Sequence, residues 1–307
     1  MSVEQAAEAY IEAHQAGWKN AKHRQQWETT LRAYVYSKIG VRPIKTVDVG
    51  MVMKVLDPIW RTKPETASRV RGRIEAILGW AAVRGYRSGD NPARWKGHLE
   101  NPLPKKGNVR RIEHHAALPY TEIADFMSVL RERAIISARA LEFLILTAAR
   151  SGEVLDAHWS EIDLEARLWT VPAARMKARH EHRVPLSEAA VSILSALPRT
   201  DDQDVIFSAR GGRPLGDTTL LALLKRMGHG GLTMHGFRSA FSDWCAEKTR
   251  FPSEARELAL AHAVGNRVEA AYRRGDMFEV RRQLMEAWAQ YCAAPVIDNV
   301  VSISDAR

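Results

Sequence analysis

Six residues between positions 150 and 272 are of the types that bind a phosphodiester and attack its phosphorus. An arginine guanidinium forms paired hydrogen bonds with phosphate oxygens, and cationic donors stabilise the charge that develops on those oxygens during attack. A tyrosine hydroxyl can serve as the nucleophile once neighbouring cations favour its phenolate. In chain order the six residues are Arg150, Lys177, His235, Arg238, His262 and Tyr272.

The local sequence predicts where these residues lie on helices and turns. Arg150 follows an apolar run and precedes Gly152, which places it at the end of a helix and before a turn. Lys177 falls in a polar stretch between two predicted strands. His235 and Arg238 are three residues apart, so both are expected on one side of a helix start.

The order Arg, Lys, His-x-x-Arg, His, Tyr resembles that of the tyrosine recombinases, which form the phage integrase family. Residues 257–282 and 113–120 also resemble satellite-phage-type integrases of bacterial genomic islands, and the likeness extends over essentially the whole chain. It implies a site-specific DNA strand transferase, with type IB topoisomerase-like chemistry, that integrates or excises a mobile element. Such integrases usually begin with an arm-binding domain, which this sequence is expected to lack because it starts at the core-binding helices.

The resemblance implies that two arginines act on the phosphate. Arg150 and Arg238 would bind its non-bridging oxygens, and Glu153 is expected to hold an arginine or the turn beside it. A lysine in place of either arginine would lose the paired geometry.

The other residues are implied to make and break bonds. Tyr272 would attack and become joined to a DNA 3′-phosphate, while Lys177 would act as the general acid for the leaving 5′-oxygen. His235 and His262 would hydrogen-bond the phosphate or assist proton transfer to and from Tyr272. Because the covalent intermediate conserves the phosphoester bond and cations stabilise the charge, no ATP, metal or other cofactor is expected.

Each residue also has a purely structural interpretation. Taken alone, Arg150 fits a cation at a helix C-terminus, Lys177 fits a solvated loop lysine, and the two histidines fit a helix cap and a packed core residue. Tyr120 and Tyr291 are rivals for the role of nucleophile. Only Tyr272 follows a histidine at the family spacing.

Histidines and cysteines elsewhere do not form a metal-binding pattern. The pairs His114 with His115 and His180 with His182 lack carboxylates or cysteines at the spacing of a zinc site. The chain has two cysteines, at positions 245 and 292, which is too few for a disulfide framework and fits a reducing compartment.

The positive charge is concentrated in the first part of the chain. Residues 1–115 carry 21 basic and 11 acidic residues, whereas residues 116–307 carry 24 and 25. This asymmetry fits either a solvated basic surface or a module that neutralises DNA phosphates.

The resemblance also implies the partners, which are double-stranded DNA at core-type sites, further copies in a synaptic homotetramer, and an accessory DNA-bending or excision factor. Without DNA we expect a monomer or weak oligomer.

The pattern of apolar residues predicts a mainly α protein with two domains. With the resemblance, it indicates a four-helix, SAM-like core-binding domain over residues 1–98, a basic linker over 99–119 and a catalytic domain over 120–307. The catalytic domain is expected to be mostly helical, with a small three-stranded antiparallel sheet. The first fifteen residues include three glutamates and do not form a signal peptide, so the chain is expected in the cytoplasm, at the bacterial nucleoid.

Several elements are predicted with definite boundaries. Ser2 and Gln5 predict a capping box, and a helix that begins near Val47 is predicted to stop before Pro58. The apolar face of a terminal helix over 279–292 is expected either to pack on its own domain or to dock on a neighbouring copy. Strands are predicted at 159–163, 168–171 and 183–186, and a helix at 237–248.

Two other functions fit the same residues. A housekeeping resolvase of chromosome dimers, or an inverting recombinase, would share every catalytic position, but the likeness over residues 257–282 argues against it. A catalytically silent DNA-binding protein on the same scaffold belongs to another class, and the intact set of six residues argues against that function.

Overall fold

The computed structural model describes residues 1–18, 21–104, 116–199, 204–209, 212–262 and 275–294. The chain forms two compact units, Met1–Glu113 and His114–Arg307. Each unit has a hydrophobic core of its own. The protein is mainly helical with a three-stranded antiparallel sheet, which confirms the predicted fold class.

Four longer helices form most of the described part of the first unit. They are α1 (Val3–His14), α2 (Ala21–Leu31, continued by a wider turn over Arg32–Gly40), α3 (Val49–Trp60) and α4 (Pro64–Val83). The predicted capping box begins α1. The Ser2 hydroxyl accepts a hydrogen bond from the Gln5 backbone N–H at 3.2 Å, and the Gln5 side chain accepts one from the Ser2 N–H at 2.8 Å.

The predicted end of α3 was wrong. The helix starts after Asp48, whose carboxylate caps the Met51 N–H at 2.8 Å, and it continues past Pro58 to Trp60. A proline in the last turn removes only one backbone hydrogen bond. Ile59 and Trp60 are both buried, and their burial stabilises the extra turn.

The second unit contains eight described helices around a small sheet. They are α5 (Ile123–Arg131), α6 (Ile136–Thr147), α7 (Ser151–Leu155), α8 (Glu188–Ser195), α9 (Thr219–Arg226), α10 (Met234–Lys248), α11 (Ser253–Ala259) and α12 (Phe278–Ala293). Most of α6 is buried, so it forms the centre of this core.

The sheet has the order β1 (Ile162–Asp163), β2 (Leu168–Val171) and β3 (His182–Pro185), with both pairs antiparallel. The first predicted strand was too long. Trp159 instead begins a short 3-10 turn, and its backbone N–H donates to the Asp204 carbonyl at 2.7 Å as part of an isolated β-bridge outside this sheet. The third strand starts one residue earlier than predicted, since His182 pairs with Val171.

The helix α10 begins three residues before its predicted start. The Thr233 hydroxyl accepts a hydrogen bond from the Gly236 N–H at 3.1 Å and caps the helix there. This earlier start places both His235 and Arg238 within the first two turns of α10.

The terminal helix α12 packs against its own unit. Leu284, Met285 and Trp288 are buried, and the Trp288 indole N–H donates to the Ile145 carbonyl at 2.8 Å. The first of the two predicted roles for this apolar face is therefore the one observed. None of the described helices is both long and apolar enough to cross a bilayer.

Candidate active site

Five of the six residues singled out above lie in described parts of the second unit, and Tyr272 lies outside the described residues. Arg150 occupies the junction between α6 and α7. Ala148 adopts a left-handed conformation (φ 49°), which ends α6 and turns the chain into α7. The Arg150 side chain is about one third exposed, so its guanidinium reaches solvent.

Glu153 fixes Arg150 through both backbone and side chain. One carboxylate oxygen accepts the Arg150 backbone N–H at 2.9 Å, and the other accepts the guanidinium Nη1 at 2.8 Å. Arg175, from the segment after β2, donates to the Glu153 carbonyl and pairs with Glu161. The contacts of Glu153 with both the arginine and its turn restrict the directions in which Arg150 can point.

Arg238 is almost fully buried, at 4% exposure. Its Nη1 donates to the Ala148 carbonyl, and its Nη2 donates to the Leu260 carbonyl at 2.6 Å. Burial, with the nearby charge of Arg150, lowers the pKa of Arg238 to about 10, against an opposing effect of Glu153. The guanidinium therefore remains charged at neutral pH. Its Nε atom has no hydrogen-bond partner among the described residues.

The carbonyl of Leu260 brings the two arginines together. Arg150 Nη2 lies 3.4 Å from this oxygen and 3.2 Å from the Ala261 carbonyl, and Arg238 donates to the same Leu260 oxygen. Two guanidiniums that share one acceptor are adjacent, although they are 88 positions apart in the sequence. The end of α11 thus joins the first turns of α7 and α10 into one cationic site.

His262 adjoins this site and has a partner that the sequence did not suggest. Its Nε2 lies 3.4 Å from Arg238 Nη2, and its Nδ1 lies 2.8 Å from a carboxylate oxygen of Glu257. The five-residue separation of Glu257 and His262 is not a regular helical contact spacing. The two meet because α11 ends between them, which sequence periodicity does not reveal.

Lys177 and His235 are both exposed. Lys177 lies in the turn between β2 and β3, where its side chain forms no ion pair with a described residue. His235 lies three residues before Arg238, in the first turn of α10. The structure therefore brings Arg150, Arg238 and His262 into contact, whereas Lys177 is not part of that contact network.

His182, considered above only as a metal ligand, borders the arginine site from β3. Burial and the charges of Arg281 and Arg150 lower its pKa to about 4, against opposing effects of Glu153 and of a hydrogen bond to the Ala259 backbone. The imidazole is therefore neutral at neutral pH. No group of three or more potential metal-binding side chains occurs within the described ranges.

Arg281, like Glu257, was not identified from the sequence. It is 1% exposed, and it links the segment before α12 to the sheet. Its guanidinium donates to the Arg183 carbonyl at 2.6 Å, to the Asp276 carboxylate at 2.6 Å and to the Asp276 carbonyl at 2.7 Å. Asp276 follows Tyr272 by four positions in the sequence, so this contact anchors the chain shortly after the predicted nucleophile.

Comparison with known proteins gives matches over most of the chain. Residues 3–98 match the phage integrase central domain and residues 117–277 match the phage integrase family. Prophage integrase IntA of Escherichia coli K12 is 32% identical over 279 residues, which cover 89% of this chain and 65% of that protein. Prophage integrase IntZ of the same strain is 31% identical over 300 residues, which cover 96% of this chain and 71% of that protein.

The fold is also similar to that of a solved integrase. Lambda integrase (75–356), in a dimer bound to a COC′ core site, superimposes with a TM-score of 0.68 at 14% identity. The match covers 86% of this chain and 96% of that one. At this identity the similarity concerns the fold alone. The chain spans about two thirds of the length of the curated relatives it matches.

Proposed function

Because this chain belongs to the phage integrase family, we propose that it is a site-specific DNA recombinase that cleaves and rejoins strands through a covalent bond to Tyr272. Its expected biological role is to integrate or excise a mobile element. One observation carries the proposal: the guanidiniums of Arg150 and Arg238 converge on the Leu260 carbonyl. Two adjacent cations with planar donor groups form a binding site for a phosphodiester.

The two arginines bind the scissile phosphate. A guanidinium has five N–H donors, and the carbonyl contacts use only part of them. A non-bridging phosphate oxygen is a stronger acceptor than a carbonyl oxygen because it is charged. Charge grows on these oxygens as phosphorus is attacked, and loss of one preorganised donor typically costs about 2.7–4 kcal/mol of activation free energy.

The chemical step joins Tyr272 to DNA. The phenol oxygen of Tyr272 attacks phosphorus while its proton passes to Nε2 of His262. The bond from phosphorus to the 5′-oxygen breaks, and that oxygen takes a proton from Lys177. The product is a 3′-phosphotyrosine and a free 5′-hydroxyl. Rejoining is the reverse reaction with another strand, and it needs no ATP because the phosphoester bond is conserved.

The two units have different roles in the proposed reaction. The first unit, which matches the central domain of phage integrases, binds the duplex with its excess of basic residues. The second unit carries the arginine site. Exchange of strands between two duplexes needs four cuts, so the active assembly is a tetramer on DNA.

A trapping experiment tests the proposal. The protein is incubated with a randomised library of nicked duplexes, in which the short 5′-hydroxyl fragment diffuses away and leaves the covalent adduct. We expect wild-type protein and Tyr291→Phe to form adducts and Tyr272→Phe to form none. Sequencing of the attached fragments identifies the preferred site. Wild-type protein that binds DNA without forming an adduct would instead support a silent DNA-binding protein, and adducts with Tyr272→Phe would assign the nucleophile elsewhere.

A further inference from the structure

A chain of charged contacts runs through Glu257 to the arginine site. One carboxylate oxygen of Glu257 accepts hydrogen bonds from Arg256, with Nε at 3.1 Å and Nη2 at 3.0 Å. The other oxygen lies 2.8 Å from Nδ1 of His262. On the far side of the imidazole, Nε2 lies 3.4 Å from Nη2 of Arg238. The imidazole thus lies between a carboxylate and a buried guanidinium.

These contacts favour one assignment of the proton on the His262 ring. A guanidinium only donates hydrogen bonds, so Nε2 of His262 must be the acceptor towards Arg238. An ionised carboxylate only accepts, so Nδ1 must donate to Glu257. Only the neutral tautomer with hydrogen on Nδ1 satisfies both contacts.

The carboxylate of Glu257 is ionised at neutral pH. Partial burial raises the pKa of Glu257, but the hydrogen bonds from His262 and Arg256, with the charge of Arg256, outweigh it, so the net pKa lies below the usual value. Glu257 is about one third exposed, and its second oxygen is fully engaged by Arg256.

We propose that Glu257 is a positioning residue for His262, which it holds in the Nδ1–H tautomer with the Nε2 lone pair directed towards Arg238. This inference rests on the function proposed above. Nε2 has a single lone pair, so its 3.4 Å contact with Arg238 must open when the phenol of Tyr272 gives its proton to Nε2. The ring then becomes an imidazolium, and the adjacent carboxylate stabilises that charge. Glu257 itself gains no proton in the step. Carboxylate partners of functional histidines fix ring orientation and tautomer in the same way.

Two substitutions of Glu257 separate its hydrogen bond from its charge. Glu257→Gln keeps an oxygen that can accept from Nδ1 but loses the charge, and Glu257→Leu loses both. By analogy with other carboxylate–histidine pairs, we expect the rate of single-turnover adduct formation to fall about 10-fold with Gln and about 100-fold with Leu. The affinity for DNA should change little, because both carboxylate oxygens of Glu257 are engaged by Arg256 and His262. Glu254→Gln makes the same charge change on the same helix and should react at the wild-type rate.

A spectroscopic measurement tests the inference without relying on activity. Nitrogen-15 spectra of histidine-labelled full-length protein at about pH 8, assigned with His262→Gln, distinguish the two neutral tautomers. We expect the Nδ1–H form of His262 in the wild type and a substantial Nε2–H population in Glu257→Leu. Glu254→Gln should give the wild-type spectrum.

Each outcome decides the inference. Unchanged cleavage and an unchanged tautomer in Glu257→Leu would overturn it. Loss of DNA affinity in parallel with cleavage, in both Glu257 variants, would also overturn it, because it would indicate a general structural role. If the wild type forms no adduct at all, the proposed function fails, and the tautomer measurement still tests whether Glu257 positions His262.

Discussion

Arg238 shows how a guanidinium can remain charged although it is almost fully buried. The carbonyls of Ala148 and Leu260 replace the water that its guanidinium loses on burial. Burial still lowers its pKa to about 10, which leaves it protonated at neutral pH. The donors are therefore held in place without a ligand, which is the preorganisation that the proposed phosphate-binding role of Arg238 requires.

We predict that lysine cannot substitute for Arg238 in the cleavage reaction. Arg238→Lys keeps a positive charge, but an ammonium lacks the planar fork that contacts two carbonyls and, in the proposed function, would also bind a phosphate. We expect single-turnover adduct formation to fall about 100- to 1000-fold, while DNA affinity falls much less. Arg226→Lys, at the exposed end of α9, is the matched control and should react at the wild-type rate. A rate for Arg238→Lys within twofold of the wild type would contradict the proposed role.

His182 gives a prediction about stability and pH. Its pKa is lowered to about 4 in the folded protein, against about 6.5 in an unfolded chain. Between these values the unfolded state binds more protons than the folded state, so stability falls as the pH drops from 6.5 towards 4. At about 1.4 kcal/mol per pKa unit, the loss from this one residue is at most about 3 kcal/mol.

Thermal melting at a series of pH values measures this effect. In His182→Gln, we expect the drop in melting temperature between pH 7 and pH 4.5 to be clearly smaller than in the wild type. His180→Gln removes an exposed histidine two residues away and should melt with the wild-type pH dependence. Equal pH dependence in the wild type and both variants would show that His182 is not buried in its neutral form.

The sequence predicted some of these residues and missed others for physical reasons. The arginines at 150 and 238 and His262 were identified because their order along the chain matches a family, and the structure brings them together. Glu257 and Arg281 were missed because their partners lie across the ends of elements. Helical periodicity cannot distinguish a charged residue that forms such a contact from one that is solvated, because only the fold brings its partner close.

At the scale of elements, capping and burial explain where the predicted boundaries were right or wrong. Ser2 has a local partner three residues away, so the start of α1 could be predicted from sequence. Thr233 also has a local partner three residues away, Gly236, although the helix was predicted to begin only at Phe237. The turn beyond Pro58 depends on burial of Ile59 and Trp60 in the core, which is not a local property.

The start of α10 depends on a glycine. A Cβ atom at Gly236 would lie 2.5 Å from the Ala116 carbonyl oxygen and 2.8 Å from the Ala117 Cα. Both are backbone atoms, so the segment before α5 lies directly against the turn that carries His235. Any side chain at position 236 must displace that segment or the helix.

Gly236→Ala should therefore destabilise the second unit. We expect a loss of about 1–3 kcal/mol in the free energy of unfolding, the usual cost of forcing a methyl group into a packed site. Urea denaturation measures it. Gly231→Ala is the control, because a Cβ at Gly231 meets nothing within 4 Å. Equal stability of the two variants would show that residues 116 and 117 yield without cost.

At the scale of the whole molecule, the excess of basic residues and the arginine site lie in different units. Met1–Glu113 carries 21 basic and 11 acidic residues, whereas His114–Arg307 carries 24 and 25. The arginine site nevertheless lies entirely in the second unit. A nearly neutral unit with a local cationic site suits recognition of one phosphate, and a strongly basic unit suits many contacts along a duplex.

This division predicts how salt weakens DNA binding. Each neutralised phosphate contributes a slope of about −0.9 to the logarithm of affinity against the logarithm of salt concentration. Because the excess charge lies in residues 1–113, we expect that fragment to retain most of the slope of the full chain for a non-specific duplex. Residues 114–307 should bind weakly, with a slope nearer zero.

Each fragment contains a complete hydrophobic core, so circular dichroism should show both folded. Fluorescence anisotropy titrations from about 50 to 300 mM salt measure the slopes, and a folded second fragment with the slope of the full chain would refute this division.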